Sequence, residues 1–254
     1  MCRLLGSVSR EPVTLDEVLG GERGAFLALA SQHGDGWGHA WTGPDGLEVR
    51  KQPDSALVSH ELADLAAGQA AEAALTHLRW ATLGLSVRSV NTHPFTGDGV
   101  AFAHNGSISP PEALDRLIAP PLRRQRQGDT DSERYFLAVR SRLAQGATPE
   151  QALAMTVADV LGSGAQVHSL NCMLLTPEAL LAVCCYDPGS SEDLDYDPLL
   201  HRRTGGTVVV ASTGWTDSAG WSTLQNGQML VVERGSLRTT VVEVGRPRRV
   251  GLVS

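Results

Sequence analysis

The chain has 254 residues, a formal net charge of -7, 42% hydrophobic and 19% charged residues. This is the composition of an ordinary globular protein of one large domain or two small ones, without the low-hydrophobicity, high-charge signature of disorder. The acidic balance argues against a nucleic-acid partner, because phosphate recognition needs a basic face.

The four cysteines, Cys2, Cys172, Cys184 and Cys185, show no C-x-x-C spacing and no disulfide framework, which suits a reducing cytoplasm. No basic segment followed by an apolar one marks a signal peptide at the start. The longest apolar run, Ala179 to Tyr186, is far too short to span a bilayer. A cytoplasmic protein without membrane partners is expected.

Met1-Cys2-Arg3 opens a strand predicted through Val8. If Met1 is removed, Cys2 carries both a thiol and a free α-amine. An α-amine has a pKa near ~8, so part of it is neutral at physiological pH and can act as a base. Nucleophile and base then share one residue, as in N-terminal threonine enzymes.

Thr14-Leu15-Asp16-Glu17 reads as a capping box starting a short helix that ends at Gly20-Gly21. A second helix is predicted over Glu22 to Ser31. In His33-Gly34-Asp35-Gly36-Trp37-Gly38-His39 the glycines imply close backbone approach, Asp35-Gly36 a turn, and the alternation that follows a strand. Pro44-Asp45-Gly46 marks a hairpin turn, with a partner strand over Gly46 to Lys51. A helix over Ser59 to Ala67 ends at Gly68, and a buried strand runs from Ala73 to Leu78.

Asn91 to Phe95 reads as a loop, and Val100 to Ala103 as a short strand leading into His104-Asn105-Gly106. A short helix follows Pro110-Pro111, and Pro120 to Gly128 is a polar loop carrying Arg123, Arg124 and Arg126. Helices are predicted from Asp129 to Leu143 and from Pro149 to Leu161. Beyond Leu170 the chain turns to strands: Asn171 to Leu175, Ala179 to Cys185, Val208 to Ala211, Met229 to Glu233 and Leu237 to Val244. With no linker or repeat visible, residues 1–254 read as one α+β domain with sheets covered by helices.

Taken singly, Arg79 is an ordinary surface charge, Asn105-Gly106 a turn and Asp131 a helix cap. Together they form a chemical set. A thiol nucleophile needs an oxyanion hole, and a side-chain amide with a backbone N–H, as in Asn105 and Gly106, can supply one. A zwitterionic amino-acid substrate needs a cation for its carboxylate and an anion for its ammonium, roles that suit Arg79 and Asp131.

The sequence resembles the class II glutamine amidotransferases, N-terminal-nucleophile (Ntn) hydrolases that release ammonia from glutamine. The resemblance rests on Met1-Cys2, Asp35-Gly36-Trp37-Gly38, His77-Leu78-Arg79-Trp80-Ala81-Thr82, Asn91-Thr92-His93-Pro94-Phe95, His104-Asn105-Gly106 and Thr130-Asp131-Ser132-Glu133, which follow the family's order. It implies an αββα four-layer sandwich. It implies Cys2 as nucleophile and Asn105 with Gly106 as oxyanion hole. It implies a γ-glutamyl pocket of Arg79, Trp80, Thr82, His104 and Asp131, with Arg79 on the substrate carboxylate and Asp131 on its amine. No cofactor or metal is required. The chain lacks the second, synthase domain of larger family members and is most like a stand-alone branch that includes γ-glutamyl-hercynylcysteine S-oxide hydrolases of ergothioneine biosynthesis. For an ammonia-donating member the resemblance implies a separate ammonia-accepting synthase as partner.

The residues leave two rival readings. A zinc site built from His77, His93 and His104 is disfavoured because their spacing fits no i, i+4 ligand pair. A non-catalytic γ-glutamyl-binding module is disfavoured by the intact set of Cys2, Arg79, Asn105, Gly106 and Asp131. The segment Ala211 to Trp215 with Gly220-Trp221 is either a loop near the site or a buried turn.

Overall fold

Strands that read as unbroken apolar runs need cover on both faces. The chain provides it by stacking two sheets between two helical layers. The computed structural model describes residues 2–81, 86–189, 197–216 and 220–246.

Strand β1 (Arg3–Val13) leads into α1 (Leu15–Leu19) and α2 (Arg23–Ala28). Strands β2 (Trp37–Gly43) and β3 (Gly46–Gln52) form a hairpin, and α3 (His60–Gly68) precedes β4 (Ala71–Leu78). A second hairpin joins β5 (Phe95–Gly97) to β6 (Val100–Asn105), followed by β7 (Ile108–Ser109) and the single turn α4 (Pro120–Arg123). The long helices α5 (Asp131–Ala144) and α6 (Pro149–Leu161) come next. The remainder is β8 (Gln166–Val167), β9 (Asn171–Leu175), β10 (Ala179–Cys184), β11 (Leu199–Thr204), β12 (Thr207–Ser212), β13 (Ser222–Leu224), β14 (Gln228–Glu233) and β15 (Thr239–Glu243).

One sheet has the order β13-β11-β12-β1-β4-β2-β3, the other β15-β14-β10-β9-β6-β5, and β7 pairs with β8. Alternate residues of β10 show how the layers form. Leu180, Ala182 and Cys184 join Leu4, Val8 and Leu75 between the sheets, while Leu181 and Val183 join Phe136, Val139 and Leu153 beneath α5 and α6. On the far side, α1 to α3 bury Leu15, Leu19, Phe26 and Leu62 against Leu5, Leu78 and Val209. The order is helix, sheet, sheet, helix, the four-layer sandwich that the family resemblance implies.

The sheets pack closely at Gly6, where a Cβ would lie 2.6 Å from Leu180 Cδ2. Local signals hold at the helix starts. Thr14 and Glu17 form the reciprocal capping box, and Thr148 forms another with Gln151. Thr130 caps α5, so Asp131 is its first helical residue rather than its cap.

The structure extends the predicted elements. Phe95, expected in a loop, begins β5, because it pairs with Phe102. β11 and β13, both absent from the sequence reading, complete one edge of the first sheet beside β12. In the segment from Ala211 to Trp221, Trp215 packs edge-on to Phe26 at 5.2 Å within the outer core, while Gly214 and Gly220 are exposed. Arg123, Arg124 and Arg126 are exposed. No helix among the described residues is long and apolar enough to cross a membrane.

Candidate active site

Register brings the first pieces together. Arg3 pairs with Leu78 and Leu4 with His77, so Cys2 lies beside Arg79 and Trp80 at the end of β4. Strand alternation turns Cys2 to the same face as Leu4, between the sheets. Asn105 shares the face of Ala101 and Ala103, also between the sheets. His77 pairs with Leu4, and both nitrogens of its buried ring are without a hydrogen-bond partner among the described residues.

The Cys2 side chain is almost fully enclosed. The Trp80 N–H donates to Sγ at 3.4 Å, and Sγ lies 3.6 Å from the Trp80 carbonyl. Burial pushes the thiol pKa up. The Trp80 backbone and the Arg79 charge partly offset this, and the Asp131 charge adds to it. The thiol is therefore within electrostatic reach of both Arg79 and Asp131. At neutral pH it is an S–H, so attack on a carbonyl needs a base.

Arg79 is buried, and its guanidinium is caught between two carbonyls. Nη1 donates to Asp35 O and Nη2 to Ser86 O, each at 3.3 Å. The Asn91 side chain holds Ser86 in turn, donating to its carbonyl at 3.1 Å. A guanidinium has five N–H donors, so two such bonds leave donors for a carboxylate.

Asn105 ends β6 opposite Asn171. Its Oδ1 is buried without a hydrogen-bond partner among the described residues. Gly106 admits no side chain, because a Cβ there would overlap the Ser169 carbonyl. The glycine thus lets the two backbones meet immediately after Asn105.

Asp131 holds its carboxylate in place through two backbone donors, Ile108 N to Oδ2 at 2.7 Å and Ser132 N to Oδ1 at 2.9 Å. Each oxygen keeps a further lone pair for an ammonium. The approach to α5 is fixed from outside. Glu133 accepts from Gln127 N at 2.8 Å and Gly128 N at 2.7 Å, and Asn91 Oδ1 accepts from Asp129 N at 3.1 Å.

His104 is placed differently from a pocket residue. It alternates with Asn105, so its ring turns beneath α5, where Nδ1 meets Ser132 Oγ and Nε2 meets Ser169 O, both at 2.9 Å. A carbonyl only accepts, so Nε2 carries the proton and Nδ1 accepts from the Ser132 hydroxyl. Both nitrogens are engaged and the ring has nothing left for a substrate. The ring so placed bolts β6, α5 and the Ser169 segment together. Ser132 entered the sequence reading only as part of the Thr130-Asp131-Ser132-Glu133 motif, and Ser169, which completes this bolt, carried no signal there.

Trp80 keeps an exposed ring, 46% accessible, standing edge-on to His33 at 5.5 Å. Thr82 lies outside the described residues. The His77 and His93 ring centres lie 4.2 Å apart with planes tilted by 35°, and burial holds both well below the usual imidazole range, so both are neutral. Among the described residues no group of three or more His, Cys, Asp or Glu is arranged to hold a metal ion.

Residues 1–194 match the family described as class II glutamine amidotransferases. A γ-glutamyl-hercynylcysteine sulfoxide hydrolase of Mycolicibacterium smegmatis is 26% identical over 241 residues, covering 91% of this chain and 96% of that protein. A probable glutamine amidotransferase of Saccharomyces cerevisiae is 27% identical over 157 residues; the match spans 54% of this chain but only 44% of the yeast protein. Among solved structures, a glutamine aminotransferase class-II domain protein of Silicibacter pomeroyi has a TM-score of 0.70 at 20% identity, covering 96% of this chain and all of that one. The glutamine phosphoribosylpyrophosphate amidotransferase of B. subtilis has a TM-score of 0.65 at 17% identity, over 96% of this chain and 49% of that one. At these identities the structural matches speak for the fold.

Proposed function

The chain belongs to the class II glutamine amidotransferases, hydrolases acting on carbon–nitrogen bonds, and on that premise we propose that it cleaves a γ-glutamyl amide through a thioester on Cys2. The observation that carries this reading is the setting of the thiol. It is enclosed, hydrogen-bonded to the Trp80 backbone and acted on by both the Arg79 and Asp131 charges.

In the proposed reaction Arg79 takes the substrate carboxylate and Asp131 its ammonium, leaving the δ-carbonyl at Sγ. The Cys2 α-amine, freed by removal of Met1, accepts the thiol proton as sulfur bonds to carbon. The Asn105 side-chain amide and the Gly106 N–H donate to the developing oxyanion. The C–N bond breaks as the protonated amine returns its proton to the leaving nitrogen. Water then attacks the thioester, the amine again taking a proton, and free glutamate departs with the Cys2 thiol restored. His104 acts as a positioning residue for Asn105 and Gly106.

The leaving group admits a second reading. The mycobacterial relative, matched over nearly its whole length, is a γ-glutamyl-hercynylcysteine sulfoxide hydrolase. A bulky thioether sulfoxide amide is therefore a substrate candidate beside glutamine itself, the latter in service of a separate synthase. Glutamate release from glutamine, γ-glutamyl amides and γ-glutamyl thioether sulfoxides, measured side by side, tests both. Release from none of them would contradict the proposed function.

A further inference from the structure

We infer that Asp35 is a positioning residue that aims the two Trp80 peptide units at the Cys2 sulfur and seats the Arg79 guanidinium. The inference rests on the reading of Cys2 as nucleophile. In the sequence Asp35 is a turn residue; the structure gives it four links to the strand end opposite, shared with Gly36.

Asp35 N donates to Arg79 O at 3.1 Å, and Arg79 N donates to Gly36 O at 2.8 Å. Asp35 O accepts from Arg79 Nη1 at 3.3 Å, and Asp35 Oδ2 accepts from Ala81 N at 2.7 Å. Peptide planarity gives these bonds their meaning. Arg79 O and Trp80 N belong to one rigid unit, with C=O and N–H pointing oppositely. Ala81 N and Trp80 O belong to the next. Asp35 grips the outer atom of each unit, and the inner atoms, Trp80 N and Trp80 O, are the two that meet Sγ at 3.4 and 3.6 Å.

The main chain of Asp35 holds the first unit whatever its side chain. The carboxylate alone holds the second, and its charge also favours the charged guanidinium of Arg79. Gly36 permits the approach. It sits at φ 143°, where a Cβ would lie 2.9 Å from Gln52 O.

Loss of the carboxylate frees the 80–81 peptide to rotate, so the thiol loses its seat while Arg79 loses a supporting charge. The charged groups acting on Sγ are Arg79, Asp131 and the chain's amino terminus, all present in the variants below. The Trp80 backbone lowers the thiol pKa, so its displacement raises the midpoint of Cys2 reactivity. Removing a negative charge without moving the peptide would act in the opposite direction.

The test compares Asp35→Ala, Asp35→Asn and Asp35→Glu in the full chain. Two quantities are read: the pH midpoint of Cys2 alkylation by iodoacetamide, with peptide mapping, and kcat and KM for γ-glutamyl hydrolysis. Asp35→Ala is expected to raise the midpoint and lower kcat/KM by roughly 10–100-fold, the usual effect of misplacing a reacting group. Asp35→Asn keeps an acceptor at the same reach but loses the charge, and is expected to leave the midpoint at or below the wild-type value. Asp35→Glu keeps the charge but misplaces the acceptor, and is expected to behave as the alanine variant does; it decides the matter should Asp35→Ala fail to fold. A wild-type or lowered midpoint in both Asp35→Ala and Asp35→Glu, or in Asp35→Glu alone if the alanine variant does not fold, would overturn the inference. Alkylation needs no substrate, so a wild-type protein that releases no glutamate would count against the proposed function and leave this test intact.

Discussion

The thiol of Cys2 and the main chain of Trp80 meet twice, the Trp80 N–H donating to Sγ at 3.4 Å and the carbonyl lying 3.6 Å from the same sulfur. The first contact favours a thiolate, but burial outweighs it and keeps the thiol protonated at neutral pH. A protonated nucleophile needs a base within reach. The α-amine of Cys2 is the nearest one the proposed chemistry supplies, and it exists only once Met1 is gone. Intact-mass measurement of active protein is expected to show Met1 absent. An active preparation that retains Met1 quantitatively would remove the amine from the mechanism.

Arg79 and Asp131 act on the thiol from opposite signs of charge. If they grip the two charged ends of a γ-glutamyl group, Arg79→Ala and Asp131→Ala should each weaken binding. Losing one charged partner typically costs about 2–5 kcal/mol. The loss is expected mainly in KM, measured by glutamate release. Unchanged kcat/KM in Arg79→Ala would contradict its assignment.

Asn105 shows the opposite pattern. As an oxyanion donor it matters most at the tetrahedral stage, so Asn105→Ala should lower kcat by roughly 10²–10³-fold, with a much smaller change in KM. A variant that raised KM alone would move Asn105 from oxyanion stabilisation to substrate binding.

Lys51 tests the packing behind the site. Its Nζ donates to Thr92 O at 2.7 Å and Pro94 O at 3.1 Å, and lies 5.3 Å from the Phe95 ring centre. Burial lowers its pKa from 10.5 to about 8, despite the favourable charge of Glu133. Between those two values the unfolded chain binds the proton that the folded one has released. The Lys51 contribution to stability therefore rises with pH across that window. Thermal unfolding is expected to show wild type gaining on Lys51→Met from pH 7 to pH 10. A gap between the two that stays constant would mean that Lys51 is not desolvated in solution.

What the sequence disclosed follows from the range of each interaction. Helix α6, Pro149–Leu161, and the strand Asn171–Leu175 have the bounds the sequence predicts, because a proline at the first helical turn and an apolar run are local signals. The Leu199–Thr204 strand was missed. Its Leu-Leu-His-Arg-Arg-Thr sequence is only partly buried, and its strand form comes from neighbours on both sides. In the site, Cys2, Arg79, Asn105 and Asp131 were legible as a chemical set and through a family resemblance. The orientation of His104 was not, since its carbonyl partner Ser169 lies 65 residues away. Asp35 looked like a turn because its bond to Ala81 spans 46 residues.

The most direct test of the account is where a γ-glutamyl diazoketone attaches. The other cysteines, Cys172, Cys184 and Cys185, lie in the core with thiols pushed up to about 12, whereas the Cys2 thiol, also buried and raised, has Arg79 and Asp131 within electrostatic reach. Peptide mapping after inactivation is expected to find one adduct, on Cys2, formed more slowly when glutamate or another γ-glutamyl compound is present. An adduct on Cys172, Cys184 or Cys185, or full hydrolytic activity in Cys2→Ala, would contradict Cys2 as the nucleophile.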